Sequence, residues 1–354
     1  MMIITALLVL AVIILVHEWG HFIACRSAGI EVEEFSIGFG PKLVSVNRRN
    51  DRSEQDEAGK TEYSLRLFPI GGFVRMAGSE PDDLDNPAGF NQASPWQRIK
   101  VLAAGPLMNF VLAVFIFIFA FTVIGIPQPV NQPVLGEVVA GKPAAEAGLD
   151  PGDRVISIDG RKVSTWEQMV QIIQQTQKGD TLEMVITRDG QQHTVNVRPE
   201  YNQSTKTSIL GVSATLSYQK LGLWQGIKMG FVNTYATTVL MLQGLVQLIT
   251  GAVSPDALAG PVGITRMIGE AAQGGLIYLL NFTALLSINL GVINLLPFPA
   301  LDGSRIVFTG LELVRGRPIE AERENFIHLI GFVVLLGLII LVTFNDILNI
   351  ARGG

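Results

Sequence analysis

The chain has 354 residues, 48% of them hydrophobic and only 16% charged, a balance that excludes a disordered chain and argues against a wholly soluble one. One cysteine, Cys25, cannot form an intrachain disulfide, and four histidines leave little scope for accidental metal clusters. Net charge is −5, from 26 basic and 31 acidic residues, and no basic stripe interleaved with aromatics offers a nucleic acid a surface, so the expected partner is lipid.

In chain order, residues 1–26 predict a first transmembrane helix: Met1 to Val16 is apolar apart from Thr5, and the apolar character resumes after His17 to His21. A cleaved signal peptide would need a basic start, and the first basic residue is Arg26. Residues 27–100 contain strand-like patches at Val32 to Ile37 and Tyr63 to Val74, separated by a polar, mobile loop from Arg48 to Lys60. A second transmembrane helix is expected at 101–126, rich in Phe and β-branched residues. In 221–250, Gln225, Lys228, Asn233, Gln243 and Gln247 interrupt the apolar residues, and the segment reads as amphipathic, lying in the interface. Third and fourth transmembrane helices are expected within 276–303 and 327–346. Residues 25–100 carry ten Lys/Arg and 302–325 carry four, against eleven in the longer 127–275, which assigns the first two segments to the cytoplasm.

Between the second helix and the amphipathic segment, residues 130–200 turn polar, with short alternating strands. Ser164 and Glu167 read as a capping box opening a helix to about Gln177, and Asp159-Gly160 and Asp189-Gly190 as hairpin turns. The run from Gly136 to Gly160 resembles the PDZ domain of bacterial membrane proteases, a β-rich α+β module that reads extended peptides by strand addition.

An ionisable group inside a membrane span is costly unless paired or metal-bound. The first span nevertheless ends in His17-Glu18-Trp19-Gly20-His21. Residues i and i+4 of a helix share a face, so both imidazoles can reach one metal, zinc by default, with Glu18 close enough to act as general base. A catalytic zinc usually takes a third protein ligand. His193 and His328 are poorly placed for that role. Asp302, just after the third span, is the better candidate: if 221–250 does not cross, the chain passes the bilayer twice between His21 and Asp302 and returns to the same side. Pro297 and Pro299 break the helix just before it.

These residues together resemble the site-2 proteases, intramembrane zinc metalloproteases, and among them the RseP-type regulators of membrane stress signalling. The likeness rests on His17-Glu18-x-x-His21, Phe35 to Pro41, Gly71 to Met76, Ala104-Gly-Pro-x-x-Asn109, the PDZ run, Gly260 to Ile264 and Asn294 to Gly303. It implies a polytopic α-helical membrane protein of about four transmembrane helices, with one inserted PDZ domain and a membrane-associated β-hairpin. It implies a metalloendopeptidase holding Zn2+ through His17, His21 and Asp302, with Glu18 as catalytic base. Substrates would be single-pass membrane proteins, such as anti-sigma factors or signal-peptide remnants, cut in or near their helices. Asn294, Pro297, Pro299, Gly71 and Gly72 would bind the unwound substrate, and the PDZ domain would contact the substrate or its new terminus. The implied location is the bacterial inner membrane, with the active site toward the cytoplasm and the PDZ domain outside. A proteolytically inactive PDZ adaptor is the alternative, and a transporter is disfavoured by the few spans and the lack of repeated halves.

Overall fold

The computed structural model describes residues 2–49, 60–79, 83, 86–202, 207–253, 259–317 and 319–351, which leaves most of the polar loop expected between Arg48 and Lys60 outside the described residues. The chain forms two compact units, one from Met1–Val123 and Gly222–Gly354, the other from Ile124–Leu221.

The first unit opens with α1 (Met2–Ala28), uninterrupted because the segment lacks proline and, apart from Thr5, is apolar as far as Val16. Two long bent strands follow, β1 (Val32–Arg49) and β2 (Lys60–Met76). Each folds over on itself, so residues 34–37 lie between two stretches of β2: antiparallel to 72–75 and in step with 62–65. The outer stretch, 72–76, is left as an edge. Next comes α2 (Pro95–Phe119), which begins with a capping box between Ser94 and Gln97 and proline in its first turn, and ends in a π-turn at Ala120–Ile124. It runs antiparallel to α1. A Cβ on Gly20 would lie 2.4 Å from the Ala104 carbonyl oxygen, so the two backbones approach as closely as only glycine permits.

The second unit holds β3 (Ile126–Pro129), β4 (Leu135–Val138), α3 (Pro143–Glu146), β5 (Arg154–Ile158), β6 (Arg161–Lys162), α4 (Trp166–Gln175), β7 (Leu182–Arg188), β8 (Gln191–Val197), β9 (Glu200–Asn202), β10 (Thr207–Ile209), β11 (Val212–Ala214) and β12 (Leu216–Gln219). Its main sheet has the order β6-β5-β7-β8 and packs Val155, Ile158, Met184 and Ile186 against Met169 and Ile173 of α4. Asp159-Gly160 and Asp189-Gly190 make their expected turns with positive φ, 47° and 72° in the first, 50° and 79° in the second. Two boundaries differ from expectation. Thr165, not Ser164, caps α4, because its hydroxyl accepts the Gln168 N–H while the Gln168 side chain returns to the Ser164 N–H. The unit also extends past residue 200: β11 pairs with β4, β12 pairs with β3, and Leu210 fills the core.

The first unit then resumes with α5 (Leu223–Ile249), α6 (Pro261–Gln273), α7 (Leu276–Leu295), α8 (Asp302–Arg315) and α9 (Ala321–Ala351). Five described helices are long and apolar enough to cross a membrane by length and composition: α1, α2 with its π-turn, α5, α7 and α9. The fifth is α5, which the sequence reading lays in the interface. Its small residues Gly226 and Gly230 face Thr122 and Ile118 of α2 in turn, so its first turns run antiparallel to the end of α2. Helix α9 is fastened near its two ends. Close to its start His328 accepts the Ala300 N–H, and close to its finish Asp346 accepts the N–H groups of Gly260 and Gly263 at the start of α6. Helix α6 therefore lies at the opposite end of α9 from Asp302, and α7 spans the distance between them.

Candidate metal centre and active site

His17 and His21 lie one turn apart on the buried face of α1, and Asp302 opens α8. Their reactive atoms converge: His17 Nε2 to His21 Nε2 is 3.2 Å, His17 Nε2 to Asp302 Oδ2 3.2 Å, and His21 Nε2 to Asp302 Oδ2 3.4 Å. They form the one group among the described residues able to hold a metal ion. Zinc with ligand bonds of about 2.05 Å in tetrahedral geometry separates its ligand atoms by about 3.3 to 3.4 Å. The three distances fit that ion. Cys25, buried one turn after His21, is outside the group.

One face of α2 supports both imidazoles. Val101, Gly105 and Asn109 recur at a spacing of four, and each meets α1 differently. The Val101 carbonyl oxygen lies 2.9 Å from His21 Nδ1 and accepts its proton, which leaves Nε2 free for a metal. A Cβ on Gly105 would fall 2.2 Å from His21 Nε2, so glycine here makes the room the ring occupies. The buried Asn109 amide sits 3.1 Å from His17 Nδ1, while its Oδ1 has no partner. Turning the amide over, a choice set only by hydrogen bonding, lets that oxygen accept His17 Nδ1–H and frees His17 Nε2 in the same way. Asn109 is in turn anchored by its own carbonyl, which accepts the Ser287 hydroxyl at 2.8 Å.

Glu18 is half-buried beside the group, and the Val74 N–H on the free edge of β2 reaches its carboxylate. Peptide groups two apart in a strand face the same side, so Gly72 turns its N–H and C=O toward that edge too. Gly71 has φ +86°, and a Cβ placed on it would lie 3.4 Å from the side chain of Ile14, one turn before His17, so the strand comes up against α1 here. The remaining expected residues are outside the metal group. Asn294 is half-buried in the last turn of α7, and Pro297 and Pro299 lie in the connection to Asp302. His328 contacts that connection but is not in the metal group, and His193 belongs to the other unit.

Sequence reasoning gave no task to Val101, Gly105, Asn109, Val74 or His328. The visible signals were an asparagine and a histidine inside apolar spans, where a polar group requires a partner, and the motifs Ala104-Gly-Pro-x-x-Asn109 and Gly71 to Met76.

The model of peptidase family M50 matches residues 5–338. The zinc metalloprotease RasP of Geobacillus kaustophilus is 35% identical, over 98% of this chain and 97% of its own. The regulator of sigma-W protease RasP of Bacillus subtilis is 31% identical over 98% of both chains. Among solved structures, the PDZ domain of the SdrC-like protein from Listeria monocytogenes matches 24% of this chain and 86% of its own, at 20% identity and a TM-score of 0.21.

Proposed function

Since the chain belongs to peptidase family M50, we propose that its metallopeptidase site is built from His17, His21 and Asp302 as zinc ligands and Glu18 as general base. It is a zinc-dependent metalloendopeptidase and a bacterial multi-pass membrane protein with a role in regulated proteolysis. The observation that carries the site assignment is the convergence of three ligand atoms at tetrahedral zinc spacing next to a carboxylate. When bound, zinc supplies Lewis acidity, making water a nucleophile near neutral pH and polarising the scissile carbonyl. The Glu18 carboxylate takes the proton of the attacking water and returns it to the leaving amine. Val101 and Asn109 hold the two imidazoles so that both Nε2 atoms face the same point.

Substrates on this reading are single-pass membrane proteins, cut in or beside their helices. A helical peptide bond is shielded by its own hydrogen bonds, so cleavage requires local unwinding. The edge of β2 at Gly72 and Val74 offers backbone partners to the unwound segment beside Glu18, which supports substrate binding through Gly71 and Gly72 as spacers and edge groups. Asn294, with Pro297 and Pro299 keeping their own backbone non-helical, would engage the substrate from the other side. The distribution of Lys and Arg supports an active site toward the cytoplasm and a PDZ domain outside, where it meets the external part of a substrate or its new terminus. An inactive adaptor has no use for a complete ligand set with a carboxylate beside it.

Glu18→Gln tests the site, because the amide keeps the shape and cannot accept a proton. In proteoliposomes with a single-pass substrate, kcat should fall about 10²- to 10⁴-fold, the usual worth of a general base, with zinc content unchanged. Cleavage at a near wild-type rate would remove Glu18 from the mechanism.

A further inference from the structure

The connection from Pro297 to Leu301 sets where Asp302 stands, and its polar contacts are few. Two of its residues are prolines without an N–H. The Phe298 N–H turns back to Leu296, and the Leu301 N–H turns back to Phe298. Leu301, at the N-cap position of α8, makes no side-chain cap bond. The Leu301 carbonyl accepts the N–H and hydroxyl of Ser304 at the start of α8, and Ala300 donates its N–H to His328 Nδ1 on α9 at 2.9 Å. It does so from φ +76°, a left-handed conformation that residues with a Cβ rarely adopt. The His328 ring is itself held, edge-on to Phe308 of α8 at 5.7 Å, with a side chain only 12% exposed. Three residues on, along the same face of α9, Gly331 lies flush on Pro299, where a Cβ would come within 2.3 Å of the proline ring and 2.5 Å of its carbonyl oxygen. Much of the rest of α9 is exposed and apolar, as a lipid-facing helix should be.

We propose that His328 is a positioning residue for the metal centre. With Gly331 it forms a seat on α9 that holds Pro299 and Ala300 in their strained turn, and so places the Asp302 carboxylate against the two histidines. The inference rests on the reading of Asp302 as a zinc ligand. It makes α9 a working part of the site although α9 contributes none of the four central residues.

The test uses the full chain, purified with zinc, and reads zinc loss to a chelator alongside kcat and KM on a membrane substrate. His328→Leu removes the acceptor at similar bulk. Zinc should leave about 10- to 100-fold faster and kcat should fall in the same range, as for other partners that orient metal ligands. KM should change little. His328→Asn puts an oxygen near the position of Nδ1 and should restore most of both losses. Gly331→Ala favours the helix itself but strikes Pro299, so it should fold and still reproduce the fast zinc loss. Wild-type zinc retention in both His328→Leu and Gly331→Ala would overturn the proposal, and so would an asparagine variant as damaged as the leucine one. Asp302→Ala, measured in parallel, separates the two levels. Full zinc in that variant means the ligand assignment has failed, whereas zinc lost there but kept in His328→Leu means only the seat has failed.

Discussion

Two buried polar clusters lie in the same unit, both built around a carboxylate, and they differ in whether the chain completes them. Around Glu34, which is fully buried, every acceptor meets a donor: Oε1 accepts from the Ser64 hydroxyl at 2.5 Å and Arg66 at 2.7 Å, and Oε2 accepts from Arg75 at 2.5 Å. The arginine charges answer the carboxylate, and only the buried Nε–H groups of Arg66 and Arg75, on the donor side, are without a hydrogen-bond partner in the cluster. Around Asp302 the neighbours are two imidazole nitrogens whose own protons are engaged elsewhere, once the Asn109 amide is turned, so lone pairs face lone pairs. The first cluster holds a hairpin together. On the proposed reading the second receives a cation, and a carboxylate that faces imidazole nitrogens instead of arginines separates a functional cluster from a structural one more surely than burial does.

Exchanging one carboxylate in each cluster breaks this comparison most directly. Asp302→Ala removes the proposed third ligand, and zinc affinity should fall by more than about 10-fold, beyond the lower bound for losing an outer partner. Glu34→Gln removes a carboxylate buried even more deeply than Asp302 and should leave zinc stoichiometry intact. Metal analysis of both purified variants checks the pair. Equal zinc loss in the two would mean that the hairpin, not ligand chemistry, governs the centre.

Much of this contrast was legible in the sequence, for a physical reason. Two histidines four apart on an apolar helix share a face whatever surrounds them, and Asp-Gly turns carry their conformation locally. Partnerships across the chain were not legible. Asn109 meets His17 over 92 residues, and the α1–α2 register that joins them depends on the fit of Gly20 against Ala104, which periodicity does not encode. Likewise, alternation marks Val32 to Ile37 as a strand without saying that it will pair on both sides. The cap of α4 moved by one residue because Ser164 and Thr165 are both competent, and the Gln168 side chain chose between them.

Gly105→Ala sharpens the comparison within the metal centre, since it replaces neither a ligand nor a charge. Alanine favours a helix over glycine by about 1 kcal/mol, so α2 itself gains. The new methyl would stand 2.2 Å from His21 Nε2 and 2.6 Å from Cε1, so the ring must swing and loosen its bond to Val101. Zinc should bind about 10-fold more weakly, at the modest end for an orienting group, while the thermal midpoint without zinc holds or rises. Competition with a calibrated chelator and a melting curve on the same sample give the two numbers, and a fall in both would point to general misfolding of α2.

The smallest effect concerns pH and falls on the cluster that is already complete. Burial alone would raise the Glu34 carboxyl, but hydrogen bonds from Ser64, Arg66 and Arg75 outweigh it and hold the pKa down at about 2, from an ordinary 4.5. A carboxyl depressed on folding contributes stability that is fully present above its unfolded value and disappears as pH falls through the folded one. The hairpin should therefore be equally protected throughout the range above pH 5, begin to loosen below about 4.5, and lose the whole contribution only as pH falls below about 2. Replacement by glutamine makes that loss permanent. Because Arg66 and Arg75 are partly exposed and recover some hydration, the cost should be about 2 kcal/mol, under the 3 to 5 kcal/mol of fully buried pairs. Hydrogen exchange across 32–37 and 72–76 at stepped pH, in wild type and Glu34→Gln, measures both. Protection lost in wild type between pH 7 and 5 would show that Glu34 does not hold the hairpin as its contacts imply.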